Sequence, residues 1–360
     1  GILLPDSGHL HEKDAEFANR HGFSKHRPAL PLYTMNDAEI ALTRFRPLEF
    51  DKIESVAGGL RLCFRRAGHI LGAAIVELFG VGVKLVFSGD LGRPNDPIMV
   101  DPTPISQADY VVVESTYGDR RHSAEDPEEA LSDIIAKTVR RGGTVIIPAF
   151  AVGRTQDILY HLHRLKAAGR IPNVPIFLDS PMAEDASDIF CRDFRDVKIS
   201  EQECRAACKV ARYVRTVEQS KALTADPVPK VIISASGMAT GGRVLHHLKH
   251  YAPDPKNAIL FTGFQAGGTR GAAMIAGAKS VKLHGAYVPV NAEVHNLHML
   301  SGHAGADEIM AWLRLFTDTP RRTFITHGEP GASDALRHRI QEELGWPCTV
   351  PDYRDDIVLA

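Results

Sequence analysis

Five short segments carry side chains able to hold metals or move protons. His69 lies in Ala67-Gly68-His69-Ile70-Leu71-Gly72-Ala73, Asp90 in Phe87-Ser88-Gly89-Asp90-Leu91-Gly92, and Glu114 in Val113-Glu114-Ser115-Thr116-Tyr117-Gly118. His303 lies in Ser301-Gly302-His303-Ala304, and His327 in Ile325-Thr326-His327-Gly328-Glu329. Imidazole and carboxylate can bind a metal ion, which lowers the pKa of a bound water and neutralises charge in a hydrolytic transition state. A carboxylate has two oxygens and can serve two ions. Taken singly, a His after Gly is an ordinary turn residue, and Gly-Asp is common turn chemistry. The five are set apart by their placement. Each falls at a strand-to-loop junction, a rigid position, beside a glycine that lets backbone and substrate come close.

The elements that must position them follow from periodicity. Leu60–Arg66, Ala74–Phe79 and Lys84–Ser88 read as strands separated by Gly-rich turns, and Tyr110–Glu114 as a further strand. No helix separates them, which predicts an antiparallel or mixed sheet. The pattern changes after Tyr117. Asp126-Pro127-Glu128-Glu129 is a helix start, and Leu131, Ile134, Ile135, Thr138 and Val139 keep helical spacing up to Gly142-Gly143. Strand Thr144–Ala149, helix Arg154–Ala168, strand Val174–Leu178, helices within 182–222, strand Lys230–Ala235, helix Gly242–Tyr251 and strand Ala258–Thr262 follow. Such alternation predicts βαβ units and a parallel sheet. Strand character returns at Val281–Val290, before helix Ala306–Phe316, strand Thr323–Thr326 and helix Ala332–Glu343. The expected fold class is therefore α/β: a sheet-rich domain over 1–118 and 298–360, interrupted by a parallel α/β domain over 119–297.

Composition bounds the function. The chain has 360 residues, 42 Lys+Arg against 44 Asp+Glu, and a net charge of −2, which excludes a uniformly basic nucleic-acid coat but not a local basic groove. With 44% hydrophobic and 24% charged residues it reads as globular. Apolar runs such as Tyr110–Val113 are strand-sized, and no membrane span or leader is predicted. Five cysteines exclude a dense disulfide framework and fit a reducing, cytoplasmic setting. Histidine is in excess, at 17 residues.

In this order the five segments resemble the β-CASP nucleases of the metallo-β-lactamase fold, in the branch of the pre-mRNA 3′-end-processing endonuclease and its prokaryotic relatives. Leu4-Pro5-Asp6-Ser7, Lys25-His26, Pro148-Ala149-Phe150-Ala151-Val152-Gly153-Arg154-Thr155-Gln156, Ser236-Gly237-Met238 and Gly263-Phe264-Gln265-Ala266 match as well. The resemblance implies an αββα sandwich, incomplete at its amino end, with an inserted β-CASP domain. It implies a zinc-dependent ribonuclease with two metal ions: His69 on one zinc, Asp90 bridging and His327 on the second. Glu114 would orient His303, and His303 would contact the scissile phosphate and protonate the leaving oxygen. RNA is the implied partner, with homodimerisation common among relatives. Ser236, Gly237 and Met238 lead from a strand to a helix start near Gly241-Gly242, whose N–H groups would suit a phosphate; Arg243 and Arg270 would add charge to the cleft. A small-molecule hydrolase and a catalytically silent RNA-binding scaffold are the rival readings.

The sequence also departs from the family. The signature His-x-His-x-Asp-His is absent; His9-Leu10-His11-Glu12-Lys13-Asp14 is the nearest string, and its neighbourhood matches a later family segment, so His9 and His11 are not expected to be ligands. The chain is expected to be amino-truncated. His69, Asp90 and His327 alone are too few for two normal zinc sites, so metal would be reduced or absent in this polypeptide, which alone could be inactive. Gly305 stands where the family usually has Asp, and Gly267 where it usually has an acidic residue. The Cys204-x-x-x-Cys208 pair is expected to serve helix packing.

Overall fold

In the computed structural model, residues 1–22 and 24–359 are described; Phe23 and Ala360, which the expected domain spans include, lie outside them. The chain opens with α1 (Leu3–His21) and α2 (Met35–Leu42), two helices that the sequence pattern did not announce. Helix α1 has no side-chain cap and carries Pro5 within it. It is held by packing instead: Gly8 lies so close to α2 that a Cβ there would come 2.7 Å from the Thr34 carbonyl oxygen.

The first sheet opens with β1 (Ile53–Ser55), which the sequence pattern did not announce, and then follows the predicted strands closely: β2 (Arg61–Arg66), β3 (Ala74–Gly80), β4 (Val83–Phe87) and β5 (Tyr110–Glu114). The second unit then runs α3 (Pro127–Arg140), β6 (Val145–Pro148), α4 (Arg154–Ala167), β7 (Ile176–Asp179), α5 (Pro181–Phe190), α6 (Glu201–Cys208), β8 (Arg212–Tyr213), α7 (Val217–Ala225) and β9 (Val231–Ser234). It continues through α8 (Val244–Tyr251), β10 (Ala258–Phe261), α9 (Arg270–Ile275), β11 (Ser280–Leu283), β12 (Ala286–Pro289) and β13 (Glu293–Asn296). The chain then returns with α10 (Ala306–Leu313), β14 (Arg322–Thr326), α11 (Pro330–Leu344) and β15 (Cys348–Thr349).

The first sheet has the order β1-β2-β3-β4-β5-β14-β15. β1 to β4 pair antiparallel, whereas β4, β5, β14 and β15 run parallel. The whole second unit is therefore a crossover between two neighbouring parallel strands, β5 and β14. Its own sheet, β13-β10-β6-β9-β7-β8, is parallel throughout, as the alternating pattern predicted. Parallel sheets need cover on both faces, and this one has it. Val145, Ile147, Val231, Ile233 and Leu260 pack on one side, while Ile146, Ile232 and Ile259 pack on the other with Val244, Leu245 and Leu248 of α8.

The strand-rich stretch after 280 does not rejoin the first sheet. β11 and β12 form a separate hairpin, and β13 extends the parallel sheet beside β10. α10 and α11 cover the first sheet through Ile309, Met310, Leu313, Leu336 and Ile340 against Val111, Val113 and Ile325. Among the described residues, no helix is long and apolar enough to cross a membrane.

Candidate metal and catalytic centre

Three adjacent parallel strands deliver three of the five residues to one edge. β4 runs into Ser88-Gly89-Asp90, β5 ends on Glu114, and β14 ends one residue before His327; Glu114 and Thr326 are register partners. Ligands gather at the carboxyl ends of parallel strands because the loops there are free to diverge. The other two residues arrive on loops tied to these. Gly92 donates to the Ala67 carbonyl at 2.7 Å, and Gly92 also bridges His303, with Ala304 donating to the Leu91 carbonyl at 2.8 Å. The loops carrying His69, Asp90 and His303 are thus laced by backbone bonds. Gly92 has to be glycine: a Cβ would meet the Gly68 carbonyl oxygen at 2.0 Å.

The Asp90 carboxylate stands between two histidines. Its Oδ1 is 3.3 Å from His327 Nδ1, and its Oδ2 is 4.0 Å from His69 Nε2. Donors about 2.1 Å from a shared tetrahedral zinc lie roughly 3.4 Å apart, so both spacings suit ligands more than a closed hydrogen-bond network. Donor atoms of His69, Asp90 and His303 also fall within 4.8 Å of one another. His69 has its pKa pushed down to about 4, by burial first and by the neighbouring His303 second, so it is neutral at pH 7 as a ligand must be. The donor types and spacing fit zinc.

His303 is held from behind. Its Nδ1 lies 3.2 Å from each Glu114 oxygen. Glu114 also accepts from the Leu91 N–H at 2.5 Å and the Thr116 N–H at 3.3 Å. Burial works to raise the Glu114 pKa, yet the bonds from His303, Thr116 and Leu91 outweigh it and hold the carboxyl below its ordinary range. An ionised carboxylate only accepts, so the proton sits on His303 Nδ1 and leaves Nε2 for chemistry. The His303 ring lies 4.2 Å from that of His69 and 6.0 Å from that of His327. His69, Asp90, Thr116, His303 and His327 line one cavity of about 980 Å³ between the two sheets, walled by Ile70, Leu71, Phe150, Met182, Phe190, Met238 and Phe264.

Comparison with known proteins gives the family. Residues 155–274 match the Beta-Casp domain, and residues 287–351 match the Zn-dependent metallo-hydrolase RNA specificity domain. Over 307 residues the chain is 42% identical to a ribonuclease of Thermus thermophilus, covering 83% of this chain and 69% of that protein. The chain belongs to the β-CASP family. It is also 31% identical over 346 residues to the transcription termination factor FttA of Pyrococcus horikoshii, covering 91% of this chain and 53% of that protein. An RNase J-like protein of Methanocaldococcus jannaschii is 28% identical over 325 residues, 89% of this chain and 76% of its own length. The chain thus spans about half the length of the archaeal termination factors it matches.

The β-CASP unit places the remaining expected residues unevenly. Gly237 and Met238 line the cavity, but Ser236 does not. The Ser236 hydroxyl accepts from the Thr240 and Gly241 N–H groups at 3.1 and 3.2 Å. The expected phosphate turn is therefore corrected: two of its donors are already spent, and α8 begins at Val244 rather than near Gly241-Gly242. Arg243 and Arg270 are corrected too. Arg243 donates to buried Asp179 at 2.6 Å and to the Val214 and Arg215 carbonyls, and Arg270 donates to the Lys282, Ala239 and Thr240 carbonyls. Each guanidinium staples segments of the domain, and neither lines the cavity.

The structure adds residues that sequence reasoning left without a role. Thr116 places its hydroxyl 3.2 Å from His327 Nδ1 and donates to the His327 carbonyl at 3.1 Å. Its position two residues after Glu114, at the same strand end, was the available signal. Phe150 is 46% exposed at the cavity, and Arg154, also on the wall, is paired with Asp157. Glu329 accepts from the Gly267 N–H at 3.1 Å and so joins the loop after β14 to the β-CASP loop after β10. His9 and His11 lie on α1, with His11 edge-on to Tyr33 at 5.4 Å.

Proposed function

We propose that this chain is a metal-dependent ribonuclease, hydrolysing RNA phosphodiester bonds in RNA processing or decay. The observation that carries the reading is the Asp90 carboxylate between His69 and His327, one oxygen toward each, on the same cavity wall as the Glu114-held His303. The names of the relatives, a ribonuclease and a transcription termination factor, support RNA as substrate. His69, Asp90 and His327 would hold zinc, with Asp90 shared between two ions. Zinc bound there supplies Lewis acidity and an activated water. His303 presents Nε2 to the scissile phosphate and passes its proton to the leaving oxygen, while the Glu114 carboxylate keeps Nδ1 protonated and stabilises the imidazolium. Gly237 and Met238 form part of the cavity wall, and Phe150 and Phe264 offer aromatic faces to bases. The reading includes action in the cytoplasm and pairing with a second copy of the chain, the latter testable by light scattering.

The test is cleavage of single-stranded RNA by chelator-treated protein before and after zinc addition, with Asp90→Ala and His327→Ala alongside. Cleavage restored by zinc and lost in both variants is the expected result. Undiminished cleavage in both would sink the metal assignment, and RNA binding without zinc-dependent cleavage would favour the scaffold reading.

A further inference from the structure

Helices α5 and α6, joined by residues 191–200, carry a thiol arrangement that hydrolysis does not use. Cys191 caps the end of α5, its N–H donating to the Ser187 carbonyl at 2.9 Å. Its Sγ lies 3.5 Å from the Cys204 carbonyl oxygen of α6. Cys208 is one helical turn beyond Cys204, on the same face. The relation is reciprocal: Cys208 Sγ lies 3.9 Å from the Ser187 carbonyl oxygen, one turn before Cys191. Each sulfur therefore rests on the other cysteine's helix at the carbonyl beneath that cysteine, which brings the two side chains together. Both are half-buried, whereas Cys204 is buried. A surface depression lined by Ile189, Arg192, Phe194 and Arg195 flanks Cys191 in the chain.

We propose that Cys191 and Cys208 form an oxidisable dithiol, closed by peroxide into a disulfide that ties α5 to α6. A thiolate, not a thiol, attacks peroxide. The hydrogen bond from Cys208 lowers the Cys191 pKa, with burial opposing and Arg205 assisting, while the same bond and burial raise Cys208. Cys191 is thus the attacking sulfur and Cys208 the resolving one. The Cys191 sulfur takes one peroxide oxygen as the O–O bond breaks, giving a sulfenic acid and, after proton uptake, one water. The Cys208 sulfur then displaces that hydroxyl, forming the S–S bond, and its own proton completes a second water. Two thiols lose two electrons in total and one peroxide gains them.

The bond has a consequence for the cavity. α5 supplies Met182, Ala186, Ile189 and Phe190 to its wall, so oxidation would pin that wall to α6, which packs on α4. The site stands on the thiol geometry and is independent of the ribonuclease reading.

The test is peroxide treatment of the intact chain, alkylation of free thiols, and peptide mapping by mass without reductant. The expected product is a Cys191–Cys208 linked peptide pair, two hydrogens lighter than the separate peptides and released by dithiothreitol. It should persist in Cys204→Ser and vanish in Cys191→Ser and Cys208→Ser. Hydrogen exchange in α5 should slow several-fold on oxidation of the wild-type chain. Recovery of Cys191 and Cys208 as separately alkylated thiols, their over-oxidation without linkage, or a bond to Cys204 instead would each overturn the proposal. The wild-type map alone decides it if a variant fails to fold.

Discussion

Two histidine–carboxylate constellations occupy the carboxyl ends of the two sheets, and they are built to opposite specifications. In the β-CASP sheet, Asp179 at the end of β7 accepts from Ser220 and Arg243 and lies 2.7 Å from His247 Nε2, while Thr224 meets His247 Nδ1 at 3.2 Å. Both Asp179 and His247 side chains are 0% exposed. In the first sheet, Asp90 is 39% and His327 58% exposed, and they face a cavity. The same residue types thus make a closed staple in one place and an open donor set in the other. What separates them is which polar atoms are already satisfied. A buried polar group costs folding energy unless it has partners, so the open set is the one that a ligand would complete.

Asp90→Ala gives the sharpest test of that contrast. RNA cleavage should fall about a thousandfold, in the range for loss of charge stabilisation in an active site. Stability should stay within about 0.5 kcal/mol, as for other partly exposed positions. Parallel activity and urea-unfolding measurements check both halves, and a large loss of stability would erase the distinction. Asp179→Ala should do the reverse. It strands Arg243 and His247 beside an empty buried position, which costs about 3 kcal/mol. Zinc content per folded molecule, read by elemental analysis, should not change.

The contrast also explains what was legible in the sequence. Asp90, Glu114 and His327 could be placed at strand ends because β4, β5 and β14 have strong apolar periods, and side-chain chemistry at such ends is local. The parallel β-CASP sheet was legible for the same reason, from runs such as Val145–Ile147. Arg243 was misread because its role is set by a partner far along the chain: Asp179 is 64 residues away. Nothing near Arg243 announces that its charge is neutralised inside the domain. Helix α1 was missed because it has no side-chain cap at its start and packs through Gly8 against Thr34, a tertiary contact. β13 was not read from the sequence at all: Glu293–Asn296 is a short strand that takes its place only by pairing with β10.

Glu114→Gln refines the comparison at a smaller scale. The amide keeps the shape and can still accept from Leu91, but it loses the charge that holds protonated His303. Orienting residues behind a reactive histidine are worth about 10- to 100-fold, so cleavage should fall by that factor with zinc affinity little changed. Normal activity would reduce Glu114 to packing.

The weakest effect is expected from a third constellation that lies between the two kinds. Asp157 lines the cavity beside Arg154, and it also pairs inward with His161, which in turn meets Glu128. Burial works to raise the Asp157 pKa, but Arg154 and His161 overcome it and hold it at about 2, below the ordinary 3.8. His161 is shifted the other way: burial lowers it, and bonds from Asp157 and Glu128 raise it above 6.5. A depressed carboxyl stabilises the fold above its unfolded pKa, and that contribution of about 2 kcal/mol fades as pH falls from about 4 to 2. A raised histidine stabilises below its unfolded pKa, and its contribution fades as pH climbs above 6.5. The stability gap between wild type and Asp157→Asn should therefore be widest near pH 5.5 and narrow toward both pH 3 and pH 8. Urea unfolding across that range measures it. A gap that stays constant with pH would mean that Asp157 works through shape and hydrogen bonding alone, and would place this set with the closed staple of Asp179.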